Sequence, residues 1–392
     1  MNFIEEHHSI INYKEISSDF EGYDYQGISW SEILHVNRSI YRPVRNFQYR
    51  PHLSENPTKL LTHFTPKLKL PSESYYKFIN FYKNLSPKNG HFQLRYNLQA
   101  SSYHDLYYLT KGSVVHYCTI RKAKRKFAIP SCISPNCLNV FGDFFALGDC
   151  AGKLYLFDIK KKSQLFCGFF LEKEEKTLVN SVKIYKENER YMIVAGANDA
   201  KIRVLDFDNI LKPILLIQRA NAINHIAFSP NLELIGSCSD QKEAEILDVK
   251  SGKVAFSLVE HEDYGFCMDW HPNGVQIATG NQDTTCRIWD IRKCDKSLHV
   301  LQGEIGSIYT TKYSKDGRFL AIGEAIDFVN VYDSKKDYSV FQQIDYFGET
   351  VGVDFNPEDS KSLFVAVNIR DFDGIFEFRV RREEATLSKS FL

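Results

Sequence analysis

An apolar residue followed by aspartate recurs along the chain at a nearly constant interval, and this repeat restricts the fold more than any other feature. The pairs, with successive aspartates 48, 42, 42 and 43 residues apart, are Phe157-Asp158, Leu205-Asp206, Leu247-Asp248, Trp289-Asp290 and Tyr332-Asp333. A turn built on Pro, Asn, Asp or Gly recurs between them, as in HPNG at 271–274 and SKDG at 314–317. Two markers that share one period indicate a chain made of repeated structural units.

Each unit is predicted to contain four short strands, and residues 261–303 show the pattern most clearly. The predicted strands of this unit are 265–270, 275–280, 285–291 and 296–303. The residues between them, such as HPNG and NQDT, are typical of tight turns. A four-stranded sheet of this length cannot bury both faces alone, so we expect the units to pack face to face around an axis.

The period near 42, the four strands and the terminal Trp-Asp resemble the WD40 repeat of β-propellers. The resemblance covers roughly residues 75–380, and the units outside 261–303 are degenerate. Third strands are expected near positions 117, 157, 205, 247, 289, 332 and 377. The predicted fold is therefore all-β, a seven-bladed WD40-type β-propeller with a mostly irregular N-terminal extension.

The predicted domains are an N-terminal arm, 1–74, and a propeller, 75–392. The last unit ends at its third strand, so its fourth strand must come from another part of the chain. We expect 75–83 to close the ring, with the tail 385–392 as the alternative, because closure by both termini removes an open sheet edge. Strand 75–83 has few polar positions, which predicts burial on both faces, and 91–98 is expected to be the first strand of blade 1.

The resemblance implies a structural role for four residues of the best unit. In WD40 proteins a His, a Ser or Thr, an Asp and the Trp form a buried hydrogen-bonded set that stabilises the blade. Only the 261–303 unit has all four, which are His261, Thr279, Asp283 and Trp289. We expect this blade lock to be structural and not catalytic, because buried polar groups are usually paired with one another.

The same stretch supports a hypothesis about binding. In some WD-repeat proteins, docking to a cullin-4 ubiquitin-ligase adaptor is marked by an aliphatic residue, three small residues, Asp, and then aliphatic-Trp-Asp-aliphatic-Arg. Residues 277–292 fit this pattern fully, and Asp290 and Arg292 are the candidate contacts. Only Arg292 goes beyond what a well-formed blade needs, so the pattern is a hypothesis of the grade of other short motifs.

The N-terminal arm contains four arginines interleaved with aromatic residues: Arg38, Arg42, Arg45 and Arg50. Arginine binds carboxylates and phosphates through two parallel hydrogen bonds, so the arm is a candidate contact for a partner or for the propeller itself. The arm and the stretch HFQLRYNLQASSYHDLYYL (91–109) resemble a group of fungal and plant WD-repeat proteins. That resemblance implies the fold and an intracellular setting, and no catalytic residue.

The charge balance does not favour nucleic acid. Lys plus Arg and Asp plus Glu both number 49, so the formal net charge is zero. The run RKAKRK at 121–126 is locally basic, but it has no interleaved aromatic residues to stack on bases. It is expected to be a solvated loop between the third and fourth strands of blade 1, with nuclear import or nucleic-acid contact as the alternatives.

The sequence contains none of the phosphate-binding, zinc-protease or serine-hydrolase motifs that were sought. We therefore expect no catalytic residue, no cofactor and no metal, and predict a non-enzymatic protein-interaction scaffold or adaptor. A ubiquitin-ligase substrate receptor is the alternative, followed by a nucleic-acid-associated or enzymatic propeller. The nine cysteines form no C-x-x-C pair and no apolar run spans a bilayer. Cytoplasmic or nuclear localisation and no membrane partner are therefore expected.

Overall fold

The computed structural model describes residues 26, 44, 74–170, 177–369 and 372–381. Between residues 74 and 381, the regular structure of the described residues is β-strand, apart from one turn of 3-10 helix at Ser334–Lys336. The strands form five four-stranded sheets and one seven-stranded sheet, and the seven-stranded sheet contains two blades joined through one long strand. The molecule is therefore a seven-bladed β-propeller, as the repeat predicts.

Blades 1 to 4 each contain four consecutive antiparallel strands. Blade 1 consists of β2 (Leu98–Ala100), β3 (Asp105–Leu109), β4 (Ser113–Cys118) and β5 (Ala123–Ala128). Blade 2 consists of β6 (Pro135–Phe141), β7 (Phe144–Asp149), β8 (Lys153–Asp158) and β9 (Ser163–Phe169). Blade 3 consists of β10 (Val179–Glu187), β11 (Arg190–Ala197), β12 (Lys201–Asp206) and β13 (Leu215–Gln218). Blade 4 consists of β14 (Ile223–Phe228), β15 (Leu234–Ser239), β16 (Ala244–Asp248) and β17 (Val254–Leu258).

Blade 5 is the best-patterned unit of the sequence and consists of β18 (Gly265–Trp270), β19 (Gln276–Asn281), β20 (Thr285–Asp290) and β21 (His299–Gln302). Blades 6 and 7 share the long strand β25. Blade 6 consists of β22 (Ile308–Tyr313), β23 (Phe319–Glu324), β24 (Ile326–Asp333) and the first half of β25 (Phe341–Phe355). Blade 7 consists of the second half of β25 with β26 (Ser362–Asn368), β27 (Gly374–Val380) and β1 (Tyr76–Lys83).

The turn between blades 6 and 7 occurs inside a continuous strand. Residues 341–345 of β25 pair with β24, whereas residues 349–355 pair with β26. Gly348 lies between the two halves with φ +133°, a backbone conformation that residues other than glycine rarely adopt. A Cβ at this position would also lie 2.6 Å from Val367. Glycine is therefore required where β25 passes from one blade to the next.

Strand β1 completes blade 7 as its outermost strand, antiparallel to β27. A β-bulge shifts the register between Phe78 and Asn80. The bulge turns Phe81 towards blade 6 and Tyr82 towards blade 1, where Tyr82 packs on Tyr117. The expectation that this strand is buried on both faces is wrong, because Ile79 is exposed. The bulge accounts for its irregular alternation.

Among the described residues, seven hydrophobic clusters each lie between two adjacent blades, and a further small cluster consists of Ile305, Ile326 and Phe328. Blades 4 and 5, for example, enclose Ile246, Met268, Ile277 and Trp289, and blades 7 and 1 enclose a cluster that includes Phe364. All nine cysteines lie in the described ranges and are free. Because each blade buries its faces only against its neighbours, the ring is stabilised mainly by these seven interfaces.

Two sequence expectations about strands are wrong. Residues 91–97 are not part of the first strand of blade 1, which begins at Leu98. The basic run 121–126 is not a loop, because residues 123–126 belong to the outer strand β5, where basic side chains point to solvent along an exposed edge. The predicted third strands all coincide with third strands of blades. The tail 385–392 and most of the arm lie outside the described residues.

Candidate functional site: the blade 5 cluster and the central channel

The four residues of the proposed blade lock meet inside blade 5. His261 precedes β18, Thr279 lies in β19, Asp283 in the following turn and Trp289 in β20. The Trp289 indole N–H donates to Thr279 Oγ1 at 2.8 Å. His261 contacts Thr279 Oγ1 through Nε2 and Asp283 Oδ2 through Nδ1, both at 2.8 Å. Trp289 is completely buried, so the chain of hydrogen bonds is closed to solvent.

The hydrogen bonds assign the protons of the cluster. If Trp289 donates to Thr279, the threonine hydroxyl can donate to His261 Nε2, which leaves the imidazole proton on Nδ1 facing Asp283. Burial raises the pKa of Asp283. His261, the Thr285 hydroxyl and the Glu262 backbone N–H outweigh this effect and lower the pKa to about 2. The carboxylate is therefore ionised at neutral pH and fastens the loop before β18 to the turn after β19.

Asp290 and Arg292 form an ion pair at the surface end of β20. The Arg292 guanidinium donates to both carboxylate oxygens of Asp290, at 2.9 and 2.6 Å. The Arg292 side chain is 73% exposed and that of Asp290 is 14% exposed. The two candidate docking residues are thus adjacent, with the arginine held in one geometry and facing solvent. The candidate arm contacts Arg38, Arg42, Arg45 and Arg50 lie outside the described residues.

A ring of polar side chains on the inner strands links consecutive blades around the channel. At six interfaces of the described structure, an inner-strand side chain accepts a hydrogen bond from a backbone N–H of the next blade. The pairs are Gln99 with Val140, Asn139 with Ile184, Ser181 with Ile226, His225 with Met268, Asp269 with Tyr313 and Asp354 with Ala100. At these six interfaces the hydrogen bonds fix each blade against the next.

The segment before β2 lies across one mouth of the channel, at the face where the inner strands begin. Lys88 donates to Asn368 and Asp373 of blade 7, at 2.7 and 2.5 Å. Gly90 packs against the backbone of blade 2, and a Cβ there would lie 2.5 Å from the Asn136 Cα. At the far end of the segment, the Tyr96 hydroxyl donates to the Phe266 carbonyl of blade 5. Because it contacts blades on opposite sides of the ring, this segment, 88–97, forms a plug.

Arg95 and Tyr96 form the inner surface of the plug. The Tyr96 ring stacks on His225 with centroids 4.1 Å apart and planes at 15°. Arg95 is buried, donates to the His91 carbonyl at 2.5 Å and lies over the Tyr309 ring at 5.3 Å. The aromatic and cationic contacts hold these side chains in place across the axis of the propeller.

Below the plug lies a cavity of about 290 Å³ that is lined by all seven blades. Its charged residues, apart from Arg95 of the plug, are Lys183, Asp269, Lys312 and Asp354. The Lys312 ammonium lies 4.0 Å from Asp269 and 3.9 Å from Asp354. The channel therefore contains a shared ion pair and, in blade 3, a second lysine.

Burial changes the protonation of these groups. Desolvation, with repulsion from Lys312, lowers the pKa of Lys183 to about 8. Asp269 raises the pKa of Lys312 despite its burial. Burial raises the pKa of Asp354, and Lys312 partly offsets that effect. Desolvation and the two lysine charges lower the pKa of His225 well below its usual value, so this imidazole is neutral at pH 7.

The sequence interpretation missed these channel residues, although the repeat contained a signal for them. Polar residues interrupt the apolar inner strands at positions 139, 183, 225, 269, 312 and 354, which are 42 to 44 residues apart. All six side chains line the cavity, where polar groups at the same place in successive blades meet around the axis. The plug carries no such signal, since residues 91–98 alternate like a strand.

No group of three or more His, Cys, Asp or Glu side chains that could hold a metal ion occurs among the residues the structure describes. Over the same residues, no helix combines the length and the apolar character needed to cross a membrane.

Comparison with known proteins places the best-patterned unit in a family. Residues 252–290 match the family described as "WD domain, G-beta repeat". The chain is 24% identical over 178 residues to Actin-interacting protein 1-2 of Arabidopsis thaliana, covering 44% of this chain and 28% of that protein. It is 26% identical over 159 residues to Protein groucho of Drosophila melanogaster, covering 40% and 21%. The chain thus spans less than a third of the length of these relatives.

A solved structure has the same architecture over most of the chain. A chain of the "Crystal Structure of Mitotic Checkpoint Complex" superimposes with a TM-score of 0.66 at 13% identity, and covers 81% of this chain and 96% of that one. At this identity the likeness concerns the fold alone. Together with the repeat match and the seven observed blades, it shows that the fold is that of a WD40-type β-propeller.

Proposed function

We propose that this protein is a protein-interaction scaffold, and the observation that carries the proposal is a set of exposed apolar side chains on the rim of blades 3 and 4, here called the rim patch. They are 37 to 69% exposed and are Leu211, Ile214, Leu216, Val254 and Phe256. Gly252, in the turn before β17, packs against Ile217 of β13, so the outer strands of the two blades are neighbours on the rim. Large apolar side chains exposed at several positions of neighbouring outer strands are available to a protein partner.

The rigidity of the ring and the similar proteins support the same function. Hydrogen bonds between inner strands fix the blades, so a partner would meet a preformed surface and little ordering entropy would be lost on binding. Actin-interacting protein 1-2 is named for an interaction with a protein, and its resemblance to blades of this chain supports a comparable role. Neither observation identifies the partner.

The experiment that tests the proposal compares affinity capture of the full chain and two charged variants. Phe256→Glu places a carboxylate inside the rim patch, and Leu298→Glu places one at a similarly exposed apolar position of blade 5. We expect Phe256→Glu to lose partners that the native protein and Leu298→Glu retain at stoichiometric levels. Capture of the same proteins by all three would show that the rim patch is not the interface.

A second candidate function is that of a substrate receptor for a cullin-4-type ubiquitin ligase, docking through residues 277–292. The observation that favours it is the Arg292 guanidinium, which Asp290 orients towards solvent. In the test, purified adaptor is mixed with the native chain and with Arg292→Ala. Adaptor that co-elutes with the native chain and not with the variant supports this role, and failure to bind the native chain excludes it.

The finer predictions from the sequence remain proposals. The kinship with the fungal and plant group, and the contact made by the arm arginines, concern residues that are mostly outside the described ranges. Cytoplasmic or nuclear localisation is proposed because all nine cysteines are free, as is usual in a reducing compartment. Fractionation of cells that express the full chain, followed by immunoblotting, tests the localisation directly.

A further inference from the structure

The channel is closed at one end and open at the other. The plug contacts residues at the start of the inner strands, such as Phe266 of β18. The cavity lining extends to residues at their ends, including Phe141 of β6 and Phe228 of β14, and Phe141 is 40% exposed. A ligand would therefore enter from the face where the inner strands end and would stop at Arg95 and Tyr96.

The two carboxylates of the cavity are already satisfied. Asp269 accepts the Tyr313 backbone N–H at 2.7 Å, and Asp354 accepts that of Ala100 at 2.9 Å. Both carboxylates also share the Lys312 ammonium. With a cation between them and a backbone donor on each, the two carboxylates have little residual attraction for a cationic ligand.

Lys183 and His225 each have a donor in the cavity that is left over. Among the described residues, no carboxylate lies within 4.0 Å of the Lys183 ammonium, whose recorded neighbour is the Tyr96 ring at 5.9 Å. His225 accepts the Met268 backbone N–H through Nδ1, at 3.2 Å, so its proton resides on Nε2. That Nε2 is buried and has no hydrogen-bond partner, although His225 is only 4% exposed. A buried donor without an acceptor costs about 1 to 3 kcal/mol.

We propose that the closed end of the channel is a binding site for a small oxyanion, a carboxylate or a phosphate, with Lys183 supplying the charge and His225 the neighbouring N–H donor. The cavity volume of about 290 Å³ accommodates such a group together with part of the molecule that carries it. The oxyanion reaches the site either as a free ion or as the acidic group of a larger ligand. The repulsion between Lys183 and Lys312 is relieved when the anion binds, which adds to the attraction.

The first experiment is titration calorimetry of the full chain with sodium phosphate, with sodium acetate and with a glutamate-containing peptide, at constant ionic strength. Saturable binding of phosphate or acetate identifies a free-ion site, and binding of the peptide alone identifies a carboxylate presented by a partner. Lys183→Met should weaken the binding at least tenfold, whereas Lys212→Met, at an exposed lysine of blade 3, should leave it unchanged. Absence of saturable binding by all three probes, or equal binding by Lys183→Met, overturns the proposal.

A second measurement uses the native chain and does not depend on how the variants fold. Because burial lowers the pKa of Lys183 to about 8, its amine should react faster at pH 8 than ordinary lysines. Acetylation by acetic anhydride, followed by mass spectrometry, should be slowed at Lys183 by whichever probe binds, and not at Lys212. An unchanged rate at Lys183 under saturating probe would show that the bound anion lies elsewhere. Capture of protein partners through the rim patch does not depend on Lys183 or His225. Either proposal can therefore be overturned while the other stands.

Discussion

Blades 5 and 6 solve the same structural problem with different chemistry. Each must fasten the loop that leads into its inner strand to the turn between its second and third strands. Blade 5 uses Asp283, whose carboxylate is paired with His261. Blade 6 uses Glu324, whose carboxylate accepts the backbone N–H groups of Glu304, Ile305 and Gly306 at 2.7 to 3.1 Å.

The partner of each carboxylate determines how the stability of its blade depends on pH. His261, the Thr285 hydroxyl and the Glu262 N–H overcome the effect of burial and lower the pKa of Asp283 to about 2. For Glu324, burial outweighs the backbone N–H groups and raises the pKa to about 7. The WD40 residues of blade 5 are therefore one way to hold the loop before the inner strand against the turn of a blade. In blade 6 the dipoles of backbone N–H groups hold the loop, at the electrostatic cost of burying a carboxylate.

The largest effect is expected from Trp289→Ala in blade 5. The variant loses a fully buried indole and leaves Thr279 without its donor, so the free energy of unfolding should fall by about 3 to 5 kcal/mol. Trp289→Phe keeps most of the side-chain volume, so its free energy of unfolding should fall by less. Tyr332→Phe changes only a hydroxyl at the corresponding position of blade 6 and should be nearly neutral. A thermal melt of Trp289→Ala within a degree or two of the native protein would rule out the lock.

The next effect concerns Glu324. Its folded-state pKa is raised from 4.5 to about 7, so the folded chain binds the proton more tightly and loses stability as pH rises through this window. The free energy of unfolding of Glu324→Gln, relative to that of the native chain, should therefore rise by about 3 kcal/mol between pH 4.5 and pH 7. Urea unfolding at both pH values measures the difference. A pH-independent difference would mean that Glu324 does not titrate in this range.

Asp283 should behave in the opposite sense and with a smaller magnitude. Its folded-state pKa is lowered from 3.8 to about 2, so its stabilisation is complete above pH 3.8 and is lost as pH falls through 2. Asp283→Asn should lower the free energy of unfolding by about 2 kcal/mol at pH 7 and by a smaller amount at pH 3. Urea unfolding at pH 7 and at pH 3 measures the two values, and an equal loss of stability at both pH values contradicts the assigned pairing with His261.

The smallest effect on stability is expected at the end of β20. Arg292→Ala removes an exposed ion pair with Asp290, and such pairs contribute little because water screens both charges. The midpoint of thermal unfolding should remain within a degree of the native value. A large decrease in this midpoint would show that the ion pair stabilises blade 5. It would also remove the reason to interpret Arg292 as a docking residue.

The repeat predicted the fold because every blade repeats the same turn and strand pattern, so even degenerate units such as that of Tyr332 could be placed by spacing. The blade 5 residues could be named because they follow a known arrangement. Glu324 could not, since a buried glutamate that binds a preceding loop has no characteristic spacing. The plug was missed because Arg95 and Tyr96 alternate with apolar residues as a strand does, and only the tertiary structure shows where they lie.

The pairing of β1 with β27 has a consequence for synthesis on the ribosome. About 290 residues separate the two strands, and chains are elongated at about 5 to 20 residues per second. Strand β1, with Tyr76, Phe78 and Phe81, therefore emerges roughly 15 to 60 s before its partner exists. During this interval six blades can form one after another, but the ring stays open. During synthesis that early apolar strand therefore presents an unpaired edge that another molecule could pair with, until β27 emerges.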